Sequence, residues 1–155
     1  MSSDARGASG APSPEPVSIR LDVPADIRYL NVVGACARAL LERAPGVKEA
    51  EILYYNVELA LQEVCTNIVQ HAYGGKRSAT ARIDLGFTYS ERERLLTIEL
   101  VDTGQPFDTG EVPEPLLDEA QVHGYGLFLV RNLMDEVTYS SSPAGNCWRL
   151  LKKLD

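Results

Sequence analysis

The amino-acid sequence predicts an α+β two-layer sandwich, in which a mixed, largely antiparallel sheet carries helices on one face. Five short segments alternate apolar with polar residues, which is the period of a strand with one buried face. Three longer segments repeat apolar residues at helical spacing. Because short turns join neighbouring strands, antiparallel pairing is favoured over a doubly wound parallel sheet. The predicted order of elements is βααββαββ.

The first half of the predicted domain holds one strand and two helices. Residues 17–23 alternate apolar with polar side chains and form the first strand. A helical run over residues 25–43 follows and ends at a Pro-Gly pair. The second helix, from about residue 48 to residue 73, is the longest element and stops at two consecutive glycines.

The second half supplies the remaining four strands and one short helix. Residues 103–123 contain several Gly and Pro residues and form a loop longer than packing requires, of a kind that often serves as a lid. The short helix follows at residues 127–134. The four strands lie at residues 79–87, 96–101, 136–142 and 147–154.

Length and composition indicate one globular domain over residues 17–155. Hydrophobic residues make up 45% of the 155-residue chain, which fits a single packed core. Residues 1–16, rich in Gly, Ala, Ser and Pro, are predicted to be a disordered tail. The chain lacks an apolar run long enough to span a bilayer or to act as a signal peptide, so we expect it in the cytoplasm, away from membranes.

Charge and cysteine usage argue against several classes of function. A formal net charge of -7 disfavours a direct nucleic-acid partner, because such affinity rests on neutralising phosphates with Lys and Arg. A protein or small-molecule partner fits better. Cys36, Cys65 and Cys147 lack the paired spacing of a zinc site or a disulfide framework, so we expect three reduced packing residues.

Three polar residues of the second helix lie four positions apart. Glu63, Asn67 and His71 line one ridge beside the apolar stripe. A solvated polar flank explains such a ridge without any function. In the functional interpretation, the Asn67 amide oxygen serves a hard cation that shares phosphate oxygens, and the Glu63 carboxylate is placed to take a proton.

The predicted third strand ends in an acidic residue. Asp102 lies on the same face as the apolar residues of that strand, so its carboxylate is expected to point inward. It could instead start a turn and bond its own backbone. As a binding residue it would accept a hydrogen bond from the exocyclic amine of adenine and discriminate against guanine. Gly104 would let the base approach the backbone.

A glycine-containing segment, residues 123–127, joins the long loop to the following helix. Glycines there free backbone N–H groups to face phosphates, and the helix dipole favours an anion. A hinge that merely enters a helix is the alternative. The sequence contains neither a P-loop nor a dinucleotide-binding glycine pattern, so those two classes of phosphate site are excluded.

Taken together and in this order, the three segments resemble the N, G1 and G2 boxes of the GHKL ATPase superfamily, the Bergerat fold. Residues 63–73, 102–108 and 126–137 are similar to the anti-sigma-factor serine/threonine-protein kinases, and the resemblance covers residues 17–155. It implies an ATP-dependent protein kinase that uses Mg-ATP to phosphorylate a serine on an anti-sigma-factor antagonist of the STAS type. It also implies that the protein otherwise sequesters a sigma factor by partner switching.

The resemblance implies roles for individual residues. Asn67 would contact Mg²⁺, and Glu63 would act as the general base or as a positioning residue. Asp102 and Gly104 would hold adenine, and His71 would have a supporting role. The residues that would bind the nucleotide are Asn67, His71, Asp102, Gly104, Gly124, Tyr125, Gly126 and Leu127.

The sequence departs from the family pattern at two places. The family often carries an arginine on the partner-binding face of the first helix, where residues 31–34 of this chain hold none, with Arg28 and Arg38 nearby. Near the last strand the family commonly has Thr after Gly, whereas here Asn146 follows Gly145.

A second hypothesis remains open beside the kinase. Because nucleotide binding and phosphoryl transfer need different residues, the chain could be a nucleotide-gated protein-binding module with little or no kinase activity. The family typically forms dimers through the first strand and helix. The apolar face of residues 29–41 would suit such a homodimer, although the same residues could simply cover the sheet.

Overall fold

The computed structural model describes residues 12, 14–76, 78–107 and 125–155. Its elements, in chain order, are β1 (Val17–Pro24), a 3₁₀ turn (Ile27–Tyr29), α1 (Leu30–Leu41), α2 (Ala50–Asn67), a π-helical turn (Ile68–Ala72), β2 (Arg82–Ser90), β3 (Leu95–Asp102), α3 (Tyr125–Leu133), β4 (Glu136–Ser142) and β5 (Gly145–Lys153). The predicted order βααββαββ is confirmed. Most of the predicted tail and most of the predicted long loop lie outside the described residues. Among the described residues, no helix is both long and apolar enough to cross a membrane.

The sheet has five strands in the order β1-β2-β3-β5-β4. Every strand pair in the described part is antiparallel, so the sheet there is not mixed. The chain leaves β3, enters β4 through α3 at the far edge, and returns as β5 between them. The end of β3 therefore lies beside the start of β5, where Asp102 is paired with Asn146.

The helices pack on one face of the sheet, as predicted for a two-layer sandwich. Buried residues alternate with more exposed ones along β2 and β3, and they join the apolar stripes of α1 and α2 in one hydrophobic cluster. Removing this apolar surface from water is the main stabilising contribution to such a core. Asp102 continues the buried series at the end of β3, with 3% of its surface exposed. The predicted inward position of this residue is confirmed.

Two predicted boundaries shift for local reasons. The first α-helix begins at Leu30, later than predicted, because a 3₁₀ turn precedes it. Asp26 caps that turn by accepting a hydrogen bond from the N–H of Arg28 at 3.0 Å. β2 begins at Arg82, also later than predicted, because residues 78–80 fold into a turn closed by side-chain hydrogen bonds.

The two arginines nearest to the first helix are both held by ion pairs within the chain. Arg28 binds the Asp26 carboxylate, with 2.7 Å between Nη2 and Oδ2. Arg38 of α1 contacts Glu51 and Glu58 of α2 and so links the two helices. Both guanidinium groups therefore already have acidic partners at the surface where the family resemblance would place partner contacts.

Candidate functional site

The second helix changes geometry immediately after Asn67. α2 ends there, and Ile68–Ala72 form the π-helical turn, in which the N–H of Tyr73 donates to the carbonyl five residues earlier at 3.2 Å. π-helical turns are rare in proteins, and those that occur often lie at functional sites. The regular four-residue ridge predicted from Glu63 to His71 therefore extends only to Asn67, and His71 belongs to the wider turn.

The π turn, the end of β3 and the inner faces of β4 and β5 enclose a cavity of about 10 Å³. The lining residues are Asn67, Ile68, His71, Ala72, Asp102, Gln105, Phe107, Tyr139 and Trp148. Three predicted site residues, Asn67, His71 and Asp102, are thus brought together. A cavity of this size has room for about one water molecule, so a purine base can enter only if lining side chains move.

Asp102 presents its carboxylate to this cavity from a buried position. Its Oδ1 atom accepts hydrogen bonds from the backbone N–H of Gly104 at 3.0 Å and from Nδ2 of Asn146 at 2.8 Å. Desolvation by burial raises the pKa of the Asp102 carboxyl, and the hydrogen bonds from Asn146 and Gly104 oppose that rise. Oδ2 accepts no hydrogen bond from the described residues, so this oxygen is available to a ligand.

Gly104 is required by the packing of the protein itself. A side chain at this position would overlap the backbone carbonyl of Ala72, to which the N–H of Gln105 donates at 2.8 Å. The backbone that approaches Gly104 in the structure is therefore the end of the π turn. The bond from the Gly104 N–H to Asp102 shows that the turn-forming alternative for that aspartate is realised, and the contact of Asp102 with adenine stays a prediction.

Aromatic side chains occupy the space beside Asp102. The ring of Phe107 lies 5.6 Å from that of His71 and 5.7 Å from that of Trp148, measured between centroids. The N–H of Phe107 donates to the hydroxyl of Tyr139 at 2.7 Å. Phe107, Tyr139 and Trp148 were not among the predicted site residues, although the inward phase of Tyr139 on β4 and Trp148 on β5 is readable from the alternation.

Asn67 contributes an uncommitted amide at the edge of the cavity. Its side chain is partly exposed and makes no hydrogen bond to any residue of the described ranges. Its amide oxygen is therefore open to a ligand, and oxygen atoms of this kind suit hard cations. Among the residues that the structure describes, no group of three or more His, Cys, Asp or Glu side chains could hold a metal ion.

α3 brings Gly126 against Glu63 of α2. A Cβ atom on Gly126 would lie 2.5 Å from Oε2 of Glu63. The Glu63 side chain is partly exposed and has no hydrogen-bond partner in the described part of the chain. The predicted polar ridge and the predicted glycine-containing helix entry therefore meet, with a carboxylate at the N-terminal end of α3.

The other residues of that segment occupy different environments. Leu127 is 1% exposed and belongs to the hydrophobic core, so only its backbone could face a phosphate. Tyr125 is 54% exposed, and its ring lies 6.1 Å from that of Phe128. Gly124 lies outside the described residues, and its predicted contact with phosphate stays a prediction.

These elements define a class of protein. On this α+β sandwich, an inward carboxylate at a strand end and an uncommitted amide on the facing helix line one cavity, and Gly126 at the start of α3 lies against Glu63 of the same helix. That combination is the mark of an ATP-binding domain of the GHKL type. The chain matches the histidine kinase-like ATPase domain over residues 23–152, and it belongs to that family.

Related proteins of known name narrow the class further. The serine-protein kinase RsbW of Bacillus pumilus (strain SAFR-032) is 33% identical over 128 residues, which cover 77% of this chain and 75% of the relative. The serine-protein kinase RsbW of Bacillus subtilis (strain 168) is 30% identical over 127 residues, with 77% and 75% covered. The predicted membership of the anti-sigma-factor kinase family, and with it the class of ATP-dependent serine-protein kinases, is confirmed.

Solved structures agree on the fold. The crystal structure of the RsbU and RsbW domains of Rv1364c from Mycobacterium tuberculosis matches with a TM-score of 0.62 at 18% identity, over 89% of this chain. This chain spans about a third of that one, since the match covers 32% of it. The histidine kinase domain from Erythrobacter litoralis EL346 blue-light activated histidine kinase matches with a TM-score of 0.52 at 20% identity, over 85% of this chain and 62% of that one. The predicted α+β sandwich is confirmed.

Proposed function

We propose that this chain binds Mg-ATP, transfers the γ-phosphoryl group to a serine of an anti-sigma-factor antagonist, and sequesters a sigma factor by partner switching in the cytoplasm. One observation carries the proposal: the buried Asp102 carboxylate has an oxygen without a described partner at the cavity that Asn67 also lines. A buried charge is costly unless it is satisfied, and the exocyclic amine of adenine would satisfy it. The similarity to serine-protein kinases named RsbW supports the choice of reaction.

Asn67 is the residue that would hold the magnesium ion. Its uncommitted amide fits Mg²⁺, which keeps several waters and shares phosphate oxygens instead of requiring a cage of protein ligands. When bound, the ion neutralises charge on the β- and γ-phosphates. The chain would position the nucleotide in two ways. Asn67 of α2 lines the cavity, and the first residues of α3, including Gly126, would donate backbone N–H groups to the phosphates.

Glu63 is the residue that would act on the serine hydroxyl. Its carboxylate lies beside the start of α3, where the phosphates would bind. We expect Glu63 to take the hydroxyl proton while the serine oxygen bonds to the γ-phosphorus. The bond from that phosphorus to the bridging β-oxygen then breaks, and ADP leaves. The weaker form of the proposal gives Glu63 only the orientation of the hydroxyl.

Two copies are expected to pair through β1 and α1. β1 is an edge strand, and Val17 and Ile19 on it are exposed apolar residues, as are Tyr29 and Val32 at the first helix. Neighbouring exposed apolar side chains of this kind favour association. We expect Val32→Glu to shift the molar mass measured by light scattering from two chains to one. A wild-type mass of one chain would contradict the dimer.

One observation favours the second hypothesis, a nucleotide-gated module with little kinase activity. Glu63 is not among the residues that line the cavity with Asn67 and Asp102. Glu63 and the proposed nucleotide site are therefore linked through α2, but Glu63 lies outside the cavity in this conformation. Movement of α3 would have to complete the site before transfer.

Phosphotransfer to a candidate antagonist separates the two hypotheses. We would incubate the chain with γ-labelled ATP and a STAS-type antagonist, and locate the label by mass spectrometry. Gln62→Ala is the matched control for Glu63→Gln, because Gln62 is the exposed neighbour on the same helix. The kinase predicts serine labelling that falls by about 100-fold or more in Glu63→Gln, with ADP affinity kept within about threefold.

Two other outcomes would contradict the kinase proposal. ADP binding without serine labelling, unchanged by Glu63→Gln, supports the binding module and removes the kinase proposal. Calorimetry that detects neither ATP nor ADP binding by the wild-type chain in the presence of Mg²⁺ contradicts both hypotheses.

A further inference from the structure

We propose that Asn146 sets the adenine specificity of the site, because it fixes the Asp102 carboxylate and leaves one of its oxygens for the exocyclic amine of the base. This inference rests on the proposed nucleotide-binding function and deepens it. Asn146 was not among the predicted site residues. It stands where the sequence departs from the family pattern, directly after Gly145.

Asn146 joins three strands through its side chain. β5 pairs with both β3 and β4, and in that register Asn146 lies opposite Asp102 on one side and Ser141 on the other. The residue is 2% exposed. Its Nδ2 donates to Oδ1 of Asp102 at 2.8 Å and to the carbonyl of Gly104 at 3.0 Å. Its Oδ1 accepts from the hydroxyl of Ser141 at 2.7 Å.

The chemistry of these partners determines which way the amide points. The Asp102 carboxylate and the Gly104 carbonyl only accept hydrogen bonds, so both must face the NH₂ group. The Ser141 hydroxyl then donates to the amide oxygen. An amide turned over would set its oxygen against two acceptors and lose both bonds. The orientation of Asn146 is therefore fixed by its neighbours.

This arrangement decides which carboxylate oxygen meets the ligand. Oδ1 of Asp102 already accepts from Asn146 and from the Gly104 N–H, so the ligand contact falls to Oδ2. Oδ2 attracts the exocyclic amine of adenine and repels the carbonyl that guanine carries at the equivalent position. Rotating the carboxylate to avoid guanine would break two buried hydrogen bonds, which is costly. Asn146 thereby contributes to the rejection of guanine without touching the base.

The hydrogen bonds to Asp102 also affect the ionisation of its carboxyl group. Burial raises the pKa of the Asp102 carboxyl, and the hydrogen bond from Asn146 is the larger of the two contacts that lower it. An ionised carboxylate is the form that accepts from adenine. Loss of the Asn146 donor should therefore raise this pKa further, so that adenine binding fails at a higher pH than in the wild-type chain.

Threonine at this position could satisfy only one of the two acceptors. Its hydroxyl has one hydrogen, whereas the Asn146 amide offers two, one for Asp102 and one for Gly104. Valine has nearly the shape of threonine and no donor at all. Comparison of Asn146→Thr with Asn146→Val therefore separates hydrogen bonding from packing.

The test is the affinity for ADP and for GDP, measured by calorimetry with Mg²⁺ over a range of pH. We expect the wild type to prefer ADP, and Asn146→Val to lose on the order of 10- to 100-fold in ADP affinity, the size of a lost bond to a charged group. GDP affinity should stay the same or rise, because the carboxylate can then turn away from guanine at the cost of one hydrogen bond instead of two, so the ADP:GDP ratio falls. Asn146→Thr should lie between. Thr138→Val, an exposed position on β4, is the control and should match the wild type.

The pH profile excludes a merely structural role. In Asn146→Val the acid limb of ADP binding should move to higher pH, which general loosening of the fold would not produce. His71 and Tyr139, the other titratable side chains that line the cavity, are the same in both chains, so the difference between the two profiles reports Asp102. Circular dichroism establishes that each variant folds; if Asn146→Val does not, Asn146→Thr decides the matter. Folded variants with an unchanged ADP:GDP ratio and an unchanged acid limb overturn the inference alone. A wild-type chain that binds no ADP overturns the proposed function as well.

Discussion

Glu63 and Gly126 lie in direct apposition, because a methyl group on Gly126 would come 2.5 Å from Oε2 of Glu63. The sequence predicted that Gly126 exposes backbone N–H groups to a phosphate. The structure adds a second reason for it, which is to leave room for the carboxylate proposed to act on the substrate hydroxyl. The residue at position 126 thus affects both the backbone proposed to bind phosphate and the carboxylate of Glu63.

Gly126→Ala should impair phosphoryl transfer more than nucleotide binding. The added methyl group pushes the Glu63 carboxylate from its position, and a displacement of about 1 Å can cost about 100-fold in rate. We expect a 10- to 100-fold lower rate of transfer under saturating ATP, with ADP affinity changed by less than about fivefold. Asn132→Ala, an exposed position on the same helix, is the control. Full activity of Gly126→Ala would show that the position of Glu63 does not matter.

Asp102→Asn should abolish nucleotide binding while stabilising the ligand-free chain. The asparagine oxygen can still accept from Gly104 and Asn146, but no buried charge has to be desolvated. We expect ADP affinity to fall by about 100-fold or more. The thermal midpoint should rise by about 2–4 °C, the shift that about 1 kcal/mol produces in a chain of this length. A lower midpoint would mean that the charge itself is stabilising.

The effect of Asp102 on stability should depend on pH with a defined sign. Because its pKa is raised in the folded chain, the folded state holds the proton more tightly than the unfolded state. This contribution is complete below the ordinary pKa of aspartate and is lost as the pH rises through the raised value. The advantage of Asp102→Asn over the wild type should therefore be smallest in acid and grow through that window. Thermal unfolding of both chains at several pH values measures it, and an advantage that shrinks with rising pH would contradict the assignment.

Gly104→Ala should destabilise the fold strongly. The new Cβ atom would overlap the Ala72 carbonyl, and that backbone is held by the hydrogen bond from Gln105. We expect a loss of about 2–4 kcal/mol in the free energy of unfolding, measured with urea. Gly86→Ala is the matched control, because no atom lies within 4 Å of the position that its Cβ would occupy. Its unfolding free energy should be unchanged or slightly higher, and equal losses in both variants would remove the steric explanation.

Phe107→Ala should speed nucleotide entry. The ring fills space beside Asp102 and contacts Trp148, the single tryptophan of the chain. Removing it enlarges the cavity, so we expect the association rate of ADP to rise by about threefold or more if side-chain movement limits entry. Stopped-flow fluorescence of Trp148 follows binding in the wild type and the variant. An unchanged rate would show that the ring leaves the site faster than nucleotide arrives.

Local patterns predicted the parts of this site that depend on local geometry. Alternation along β3 placed Asp102 on the inward face, and the helical period placed Asn67 at the border of the core. The π turn escaped because apolar residues continue through it at a spacing that suits either kind of helix. The end of this turn is held by a tertiary contact, because the carbonyl of Ala72 accepts a hydrogen bond from Gln105 in the loop after β3.

Contacts between strands that are distant in the chain could not be predicted from the sequence, for a different reason. The pairing of Asp102 with Asn146 exists only because β5 returns between β3 and β4, and no short-range pattern specifies that order. The same holds for the ring of Phe107, which reaches His71 and Trp148 across the fold. The family resemblance indicated the function of the site. The role proposed for Asn146, where the chain departs from the family pattern, could be inferred only from the order of the strands.

The π turn has a consequence for how this chain tolerates changes in length. Such a turn is equivalent to an α-helix that has gained one residue, and in an α-helix each residue advances by about 100°. Deleting one residue between Ile68 and Ala72 would restore the regular helix and rotate all that follows. Tyr73, whose hydroxyl accepts from the N–H of Thr103 at 3.1 Å, would lose its place against the loop after β3. The angular relation between the end of α2, which carries Asn67, and the loop after β3 is thus set by the number of residues in the turn, which substitutions preserve and insertions or deletions change.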